Sequence, residues 1–181
     1  MSEISPVPFP GSYWVIPGKL LAGPYPGHLQ PAEADRRITA LLACGIRRVI
    51  NLMEAEEVNY QGQPFVPYIG RMQEFAGLDT SVAMNRFPIR DGEIPSRDDM
   101  RKILNEIDAA LTDGQPVYIH CWGGKGRTGT AVGCYLIRHG LASAGAALER
   151  INHLRRDVQP FQPSPENERQ CAFVCSWNPD E

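Results

Sequence analysis

Apolar positions along the chain switch repeatedly between short continuous runs and helical spacing. Tyr13 to Ile16 and Lys19 to Ala22 read as short strands around Pro17-Gly18, and Gly23-Pro24-Tyr25-Pro26-Gly27 forces a turn. From Pro31 to Cys44 the residues Ile38, Leu41 and Leu42 share one helical face, with Gly45 as the stop. Ile46 to Leu52 reads as a strand, and the acidic Glu54, Glu56 and Glu57 follow it. Residues 58–81 are interrupted by Pro64 and Pro67, and a short helix is expected around Ile69 to Ala76. Val82 to Ile89 is the next expected strand and leads to Arg90-Asp91-Gly92. Ser96 with Asp99 three residues on resembles a capping box, and the helix it opens carries Met100, Ile103, Leu104, Ile107 and Leu111 at helical spacing. Gly114 ends that helix, and Pro116 to Ile119 is a short apolar strand suited to a sheet interior. Thr128 to His139 then forms a helix with Ala131, Val132, Tyr135 and Leu136 inward, followed by helices over about Ser143 to Arg156 and Pro165 to Trp177.

Strands alternating with helices imply an α/β fold whose sheet is covered on both faces. A chain of 181 residues supports one core and is short for two. Pro6, Pro8 and Pro10 mark residues 1–12 as a loosely held, proline-rich arm, which leaves 13–181 as the domain. Sites in such sheets form beyond the carboxyl ends of the strands, and the segment 121–127 lies at such a junction.

Composition narrows the function class. A net charge of −3 argues against a general nucleic-acid or membrane-surface binder, both of which need a basic face. No run approaches the ~18 apolar residues of a membrane span, and the start of the chain has no apolar signal-peptide core. Cys44, Cys121, Cys134, Cys171 and Cys175 form neither an even disulfide framework nor a zinc-type CxxC pair. The expectation is a soluble cytoplasmic protein with free thiols and no nucleic-acid partner.

The chemistry concentrates in His120-Cys121-Trp122-Gly123-Gly124-Lys125-Gly126-Arg127-Thr128. Three glycines let the backbone curl so that successive N–H groups point inward as an anion-binding nest. The following helix aims its positive end into the same nest. A thiol placed there is favoured as the thiolate, its nucleophilic form. Arg127 offers a planar fork to two phosphate oxygens, which a lysine does not reproduce. A nucleotide-binding P-loop does not fit, because Lys125 is followed by Gly126 rather than Ser or Thr. Thr128 has two readings, a hydroxyl donor to the thiolate or an ordinary first-turn residue. His120 reads as a hydrogen-bonded core histidine that shapes the loop. Nucleophilic displacement at phosphorus also calls for a proton donor on the leaving oxygen. Asp91, thirty positions before Cys121 and beside Gly92, is the first candidate, on a loop able to swing over the site. Glu93 is the substitute, since Asp98 and Asp99 have a structural use at a helix start.

The His-Cys-x5-Arg-Thr segment at 120–128 resembles the signature of the cysteine-dependent protein tyrosine phosphatases, and the Asp91 spacing and chain length resemble their dual-specificity branch. The resemblance implies a single domain with a twisted, mostly parallel central sheet flanked by helices. It also implies a two-step reaction with no metal and no cofactor. Cys121 would attack phosphorus, Asp91 would assist departure and then activate water, and Arg127 with the amides of Trp122, Gly123, Gly124, Lys125 and Gly126 would hold the oxygens. The segment around Pro165-Glu166-Asn167 loosely resembles the family's water-positioning stretch, with Gln170 as its amide. The chain reads Phe87-Pro88-Ile89-Arg90-Asp91 where classical tyrosine-specific members have Trp-Pro-Asp, so strict tyrosine specificity is not implied.

The expected substrate is a phosphorylated protein or peptide. A phosphoinositide or inositol phosphate is the alternative suggested by Lys125, and the acids at 54–57 oppose it by repelling a polyanion. Trp122 could stack on an aromatic leaving group or pack under the loop, and Tyr60, Arg71 and Arg90 could line the mouth. Two other classes stay open: a phosphate-binding adaptor with little catalysis, and a sulfurtransferase of the rhodanese kind, which needs no distant acid.

Overall fold

The computed structural model describes residues 6–158 and 162–181. Among these residues five strands run β1 Tyr13–Ile16, β2 Leu20–Gly23, β3 Arg48–Asn51, β4 Ala83–Arg86 and β5 Val117–His120. Six helices accompany them: α1 Pro31–Ala43, α2 Ile69–Ala76, α3 Arg97–Thr112, α4 Gly126–Arg138, α5 Ala147–Leu154 and α6 Glu168–Cys175. The sheet order is β1-β2-β5-β3-β4, with only the β1–β2 pair antiparallel.

Alternation along the strands sorts the core into two layers. Leu20, Ala22, Ile50, Val117 and Ile119 face α3, α4, α5 and α6, while Leu21, Val49 and Tyr118 face α1 and α2. β5 is central, so both of its faces are covered and every residue in it is buried. Helix α4 is buried from Gly126 to Ile137, because α3, α5 and α6 all pack around it. Its first turn therefore sits in protein at the carboxyl end of the central strand.

Element types agree with the sequence reading, and the boundaries differ for local reasons. β3 stops at Asn51, whose side-chain oxygen accepts from the Met53 amide at 2.9 Å and turns the chain. β4 stops before Pro88, which has no amide to donate. α4 starts at Gly126, two residues earlier than expected, so Arg127 lies inside its first turn. α6 starts after Asn167, which caps the Gln170 amide at 3.0 Å, and α5 is shortened by turns at 144–146. The expected loose arm is packed from its middle onward: Phe9 is buried against Tyr118, Ser12 is fully buried, and Trp14 donates to the Pro6 carbonyl at 3.2 Å. Residues 1–5 of that arm lie outside the described residues. No helix among the described residues is long and apolar enough to cross a membrane.

Candidate active site

The parallel strands β2, β5, β3 and β4 end at one edge of the sheet, and the loops that follow them meet there. Cys121 leaves β5 at this edge and is 3% exposed. At Gly124 the turn from Cys121 into α4 has a backbone that favours glycine. Gly124 has φ +66°, and a Cβ on it would lie 2.3 Å from the Gly23 carbonyl carbon. A Cβ on Gly126 would lie 1.9 Å from a carboxylate oxygen of Glu166. The loop is also tied from outside. Tyr25 donates its amide to the Trp122 carbonyl at 2.9 Å, and the Ser164 hydroxyl donates to the Lys125 carbonyl at 2.7 Å.

His120 holds the loop from behind. Its Nδ1 lies 3.1 Å from the Cys121 carbonyl, which can only accept, so Nδ1 carries the proton. Nε2 then accepts from the Tyr68 hydroxyl at 2.6 Å. Burial pushes the imidazole pKa down to about 3, with the nearby Arg86 and Arg127 charges acting in the same direction against its backbone hydrogen bond. His120 is therefore a neutral, fully buried brace, as the sequence suggested, and Tyr68 is a partner that the sequence reading missed.

Arg127 is 1% exposed and has two carboxylate partners. Glu57 receives both terminal nitrogens, at 2.7 and 2.9 Å, and its side chain is only 8% exposed. Asp91 takes Nη2 at 2.8 Å and is 54% exposed. The Ile89 carbonyl accepts from Nη1 at 2.9 Å. Burial opposes the guanidinium charge, but the hydrogen bonds it donates to Glu57 and the nearby Cys121, Glu57 and Asp91 more than offset it and hold the pKa above its usual value. Nε of Arg127 is buried and has no partner among the described residues. Nε–H and the outer N–H of Nη2 lie on the same edge of the guanidinium, a ready fork for two oxygens of one anion.

A cleft of about 330 Å³ lies over this edge and is lined by Cys121, Trp122, Gly123, Lys125, Gly126 and Asp91, together with Tyr60, Gln162 and Glu166. The structure thus gathers the sequence candidates Cys121, Asp91 and the loop residues into one cavity, with Arg127 beside them. Thr128 is buried and its hydroxyl has no partner among the described residues. Gln170 does not line the cleft. It is fully buried, donates to the Glu93 carbonyl at 3.2 Å and accepts from the Glu166 amide at 3.2 Å. With Asn167 donating to the Gly92 carbonyl at 2.8 Å and Arg169 pairing with Glu93, it pins the Asp91 loop to α6. That loop was expected to swing; its backbone is hydrogen-bonded to α6 at Gly92 and Glu93, and the Asp91 side chain beside them is 54% exposed. Glu93, the expected substitute acid, is occupied by Arg169 and does not line the cleft.

Of the three expected rim residues, Tyr60 lines the cleft, 91% exposed and tilted at 50° against Trp122 with ring centres 4.3 Å apart. Arg71 is elsewhere, paired with Asp35 and Glu74, and Arg90 is exposed outside the cavity. Glu57, Gln162 and Glu166 were missed in these roles. Glu57 carried a signal, since it follows a strand that ends at the site edge, but it was read as a repelling charge rather than as the partner of Arg127. Among the described residues no group of three His, Cys, Asp or Glu side chains is placed to hold a metal ion.

Comparison with known proteins agrees with this geometry. The chain is similar over 64 residues, at 38% identity, to phosphatidylglycerophosphate phosphatase PTPMT2 of Arabidopsis thaliana, a match spanning 35% of this chain and 28% of that relative. Among solved structures it is similar to PTPMT1 in complex with PI(5)P, with TM-score 0.67 and 20% identity over 91% of this chain and 92% of that one. It is also similar to a cysteine-to-serine variant of P. aeruginosa TpbA in complex with pTyr, with TM-score 0.67 and 17% identity over 99% and 93%. At these identities the two structures establish the fold. The model of the family described as Swiss Army Knife protein, DSP-PTPase phosphatase domain matches residues 10–171, so the chain belongs to this family of cysteine-based phosphatases.

Proposed function

We propose that this phosphatase hydrolyses phosphotyrosine-type monoesters in proteins or peptides, without a metal, through a phosphocysteine intermediate on Cys121. The observation that carries the reading is the state of Arg127. It is locked by Glu57 on one edge, has an unpartnered Nε–H on the other, and shares Nη2 with the exposed Asp91. An incoming phosphate dianion displaces Asp91 from Nη2 and takes both N–H groups of that edge, while Glu57 keeps the guanidinium in place. Released from the Arg127 cation, Asp91 takes up a proton from solvent; the Cys121 thiolate attacks phosphorus as the P–O bond breaks, and Asp91 gives that proton to the leaving oxygen. Asp91, now a carboxylate, takes a proton from water. The resulting hydroxide attacks phosphorus, the S–P bond breaks, and inorganic phosphate leaves with Cys121 restored as thiolate. Amides of 122–127 and the start of α4 stabilise the oxygens throughout. Gln162 and Glu166 line the cleft with Asp91 and are the further polar side chains within it that would be open to the water of the second step.

The aromatic wall formed by Tyr60 on Trp122 suits an aryl ester. A phosphoinositide or inositol phosphate is the second reading, favoured by Lys125 in the loop and by the likeness to PTPMT2 and PTPMT1. Against it, Lys125 Nζ lies 3.9 Å from a Glu166 oxygen, so the loop's lysine already faces a counter-charge. Five free cysteines suit a reducing compartment, and the cytoplasm is the proposed location.

The test is a panel of phosphotyrosine peptides, phosphoserine peptides and phosphoinositides in chelator-treated buffer, with rapid acid quenching. The expected result is turnover of phosphotyrosine peptides, a labelled intermediate on Cys121, and none in Cys121→Ser. Activity on inositol lipids alone would overturn the substrate reading, and phosphopeptide binding without turnover by the unmodified protein would make it an adaptor.

A further inference from the structure

A second groove of about 500 Å³ runs beside the cleft, and Tyr60 and Trp122 are walls of both. Trp122 packs between Tyr60, at 4.3 Å, and Phe65, at 5.4 Å between ring centres, so an aromatic partition separates the two spaces. Leu29 and Val66 line the groove while 62% and 43% exposed, and with Tyr60 they bring three of the chain's exposed large apolar residues to one place. A contiguous exposed apolar patch beside a polar site marks a binding surface. Arg37 also lines the groove, but it is paired with Glu33 at 2.8 Å and is not an uncommitted cation for a second phosphate.

We infer that this groove is a substrate subsite that takes an apolar side chain lying close in sequence to the phosphorylated residue of an extended peptide. The inference rests on the phosphopeptide reading above. A peptide anchored by its phosphate beside Cys121 leaves the cleft past Tyr60 and Trp122, and the groove begins on the other side of those two rings. Alternating side chains of an extended peptide, spaced ~3.3 Å per residue, can then occupy cleft and groove from one backbone. The exposed carboxylates of Glu54 and Glu56, on the loop that leads to Tyr60, disfavour an anionic bilayer as the occupant.

The experiment is a positional scan in which each residue from three before to three after phosphotyrosine is varied among Leu, Ala and Asp. At one position Leu is expected to exceed Ala by about tenfold in kcat/KM, the range of one well-seated apolar group. The Leu-to-Ala ratio is then measured in Leu29→Asp and Val66→Ser, and it is expected to fall to about one in at least one of them. Because the ratio is internal to each variant, a general loss of activity does not imitate the effect. Turnover of all peptides with no apolar preference overturns the subsite and leaves the phosphopeptide reading intact. A preference that survives both substitutions places the recognition elsewhere and also overturns it. No phosphopeptide turnover, with hydrolysis of long-chain phospholipid monoesters, overturns the function reading itself and would assign the groove to acyl chains.

Discussion

Two neighbouring parallel strands each deliver a carboxylate to the same guanidinium, and the two carboxylates differ in almost everything else. The loop after β3 brings Glu57, bidentate and 8% exposed; the loop after β4 brings Asp91, single-contact and 54% exposed. A desolvated, bidentate pair holds its geometry, and removing one partner strands a buried charge. An exposed pair contributes little and exchanges readily with another anion. In the proposed reaction the difference assigns tasks: Glu57 fixes where Arg127 stands, and Asp91 occupies the place that phosphate would take. Both acids are close to Arg127, so exposure rather than proximity separates the positioning residue from the proposed proton carrier.

Opposite substitutions should separate these tasks most sharply. Asp91→Asn is expected to lower kcat by ~10²- to 10⁴-fold, the range of a lost general acid, while thermal stability changes by less than ~1 kcal/mol. Steady-state kinetics beside a denaturation curve check both halves. Glu57→Gln is expected to show the reverse balance, a stability loss of ~3 kcal/mol from a buried guanidinium left short of a charge, with a smaller kinetic loss below the new melting point. If both variants lost rate equally and stability equally, the distinction drawn from exposure would be broken.

A third measurement extends the contrast to the brace behind the loop. His120 is neutral in the folded protein with a pKa pushed down to about 3, whereas an unfolded histidine titrates near ~6.5. Below pH 6.5 the unfolded chain takes up a proton that the folded chain refuses, so stability is full above that pH and declines as pH falls towards 3. The expected outcome is a melting temperature that falls more steeply between pH 6.5 and 4 in the native protein than in His120→Asn. Equal slopes would mean that the imidazole is not the neutral brace described.

The contrast also explains what was legible in the sequence. The turn from Cys121 into α4 could be read because its constraints are local: Gly124 needs positive φ, Arg127 lies six residues from Cys121, and a strand must precede while a helix follows. Element types were readable from period, since each helix has to bury a stripe and the central strand both faces. Glu57, Tyr68, Gln162 and Glu166 were not legible in their roles, because each reaches the site through the order β5-β3-β4 or through α6 packing on α4. Nothing in the spacing of Glu57 says that its strand is β5's neighbour. Gln170 was read for its amide chemistry alone, and packing gave that amide to the Asp91 loop instead.

The smallest expected effect concerns the other ion pair at the cleft. Lys125 and Glu166 are 28% and 31% exposed and 3.9 Å apart, a loose pair worth well under ~1 kcal/mol to stability. Its consequence lies in selectivity. While Glu166 faces Lys125, the cleft offers a substrate little beyond the single cation Arg127, and a second phosphate would meet a carboxylate. In Glu166→Gln that repulsion is gone and Lys125 is released, yet the carbonyl oxygen still lies against Gly126. The ratio of kcat/KM for a phosphoinositide to that for a phosphotyrosine peptide is expected to rise by about three- to tenfold, an ordinary size for one partly screened charge. Lys125→Ala, by removing the cation instead, should move the ratio in the opposite direction. A ratio that stays fixed in both variants would show that the pair does not set substrate charge, and that selectivity is decided on the aromatic side of the cleft, at Tyr60 and Trp122.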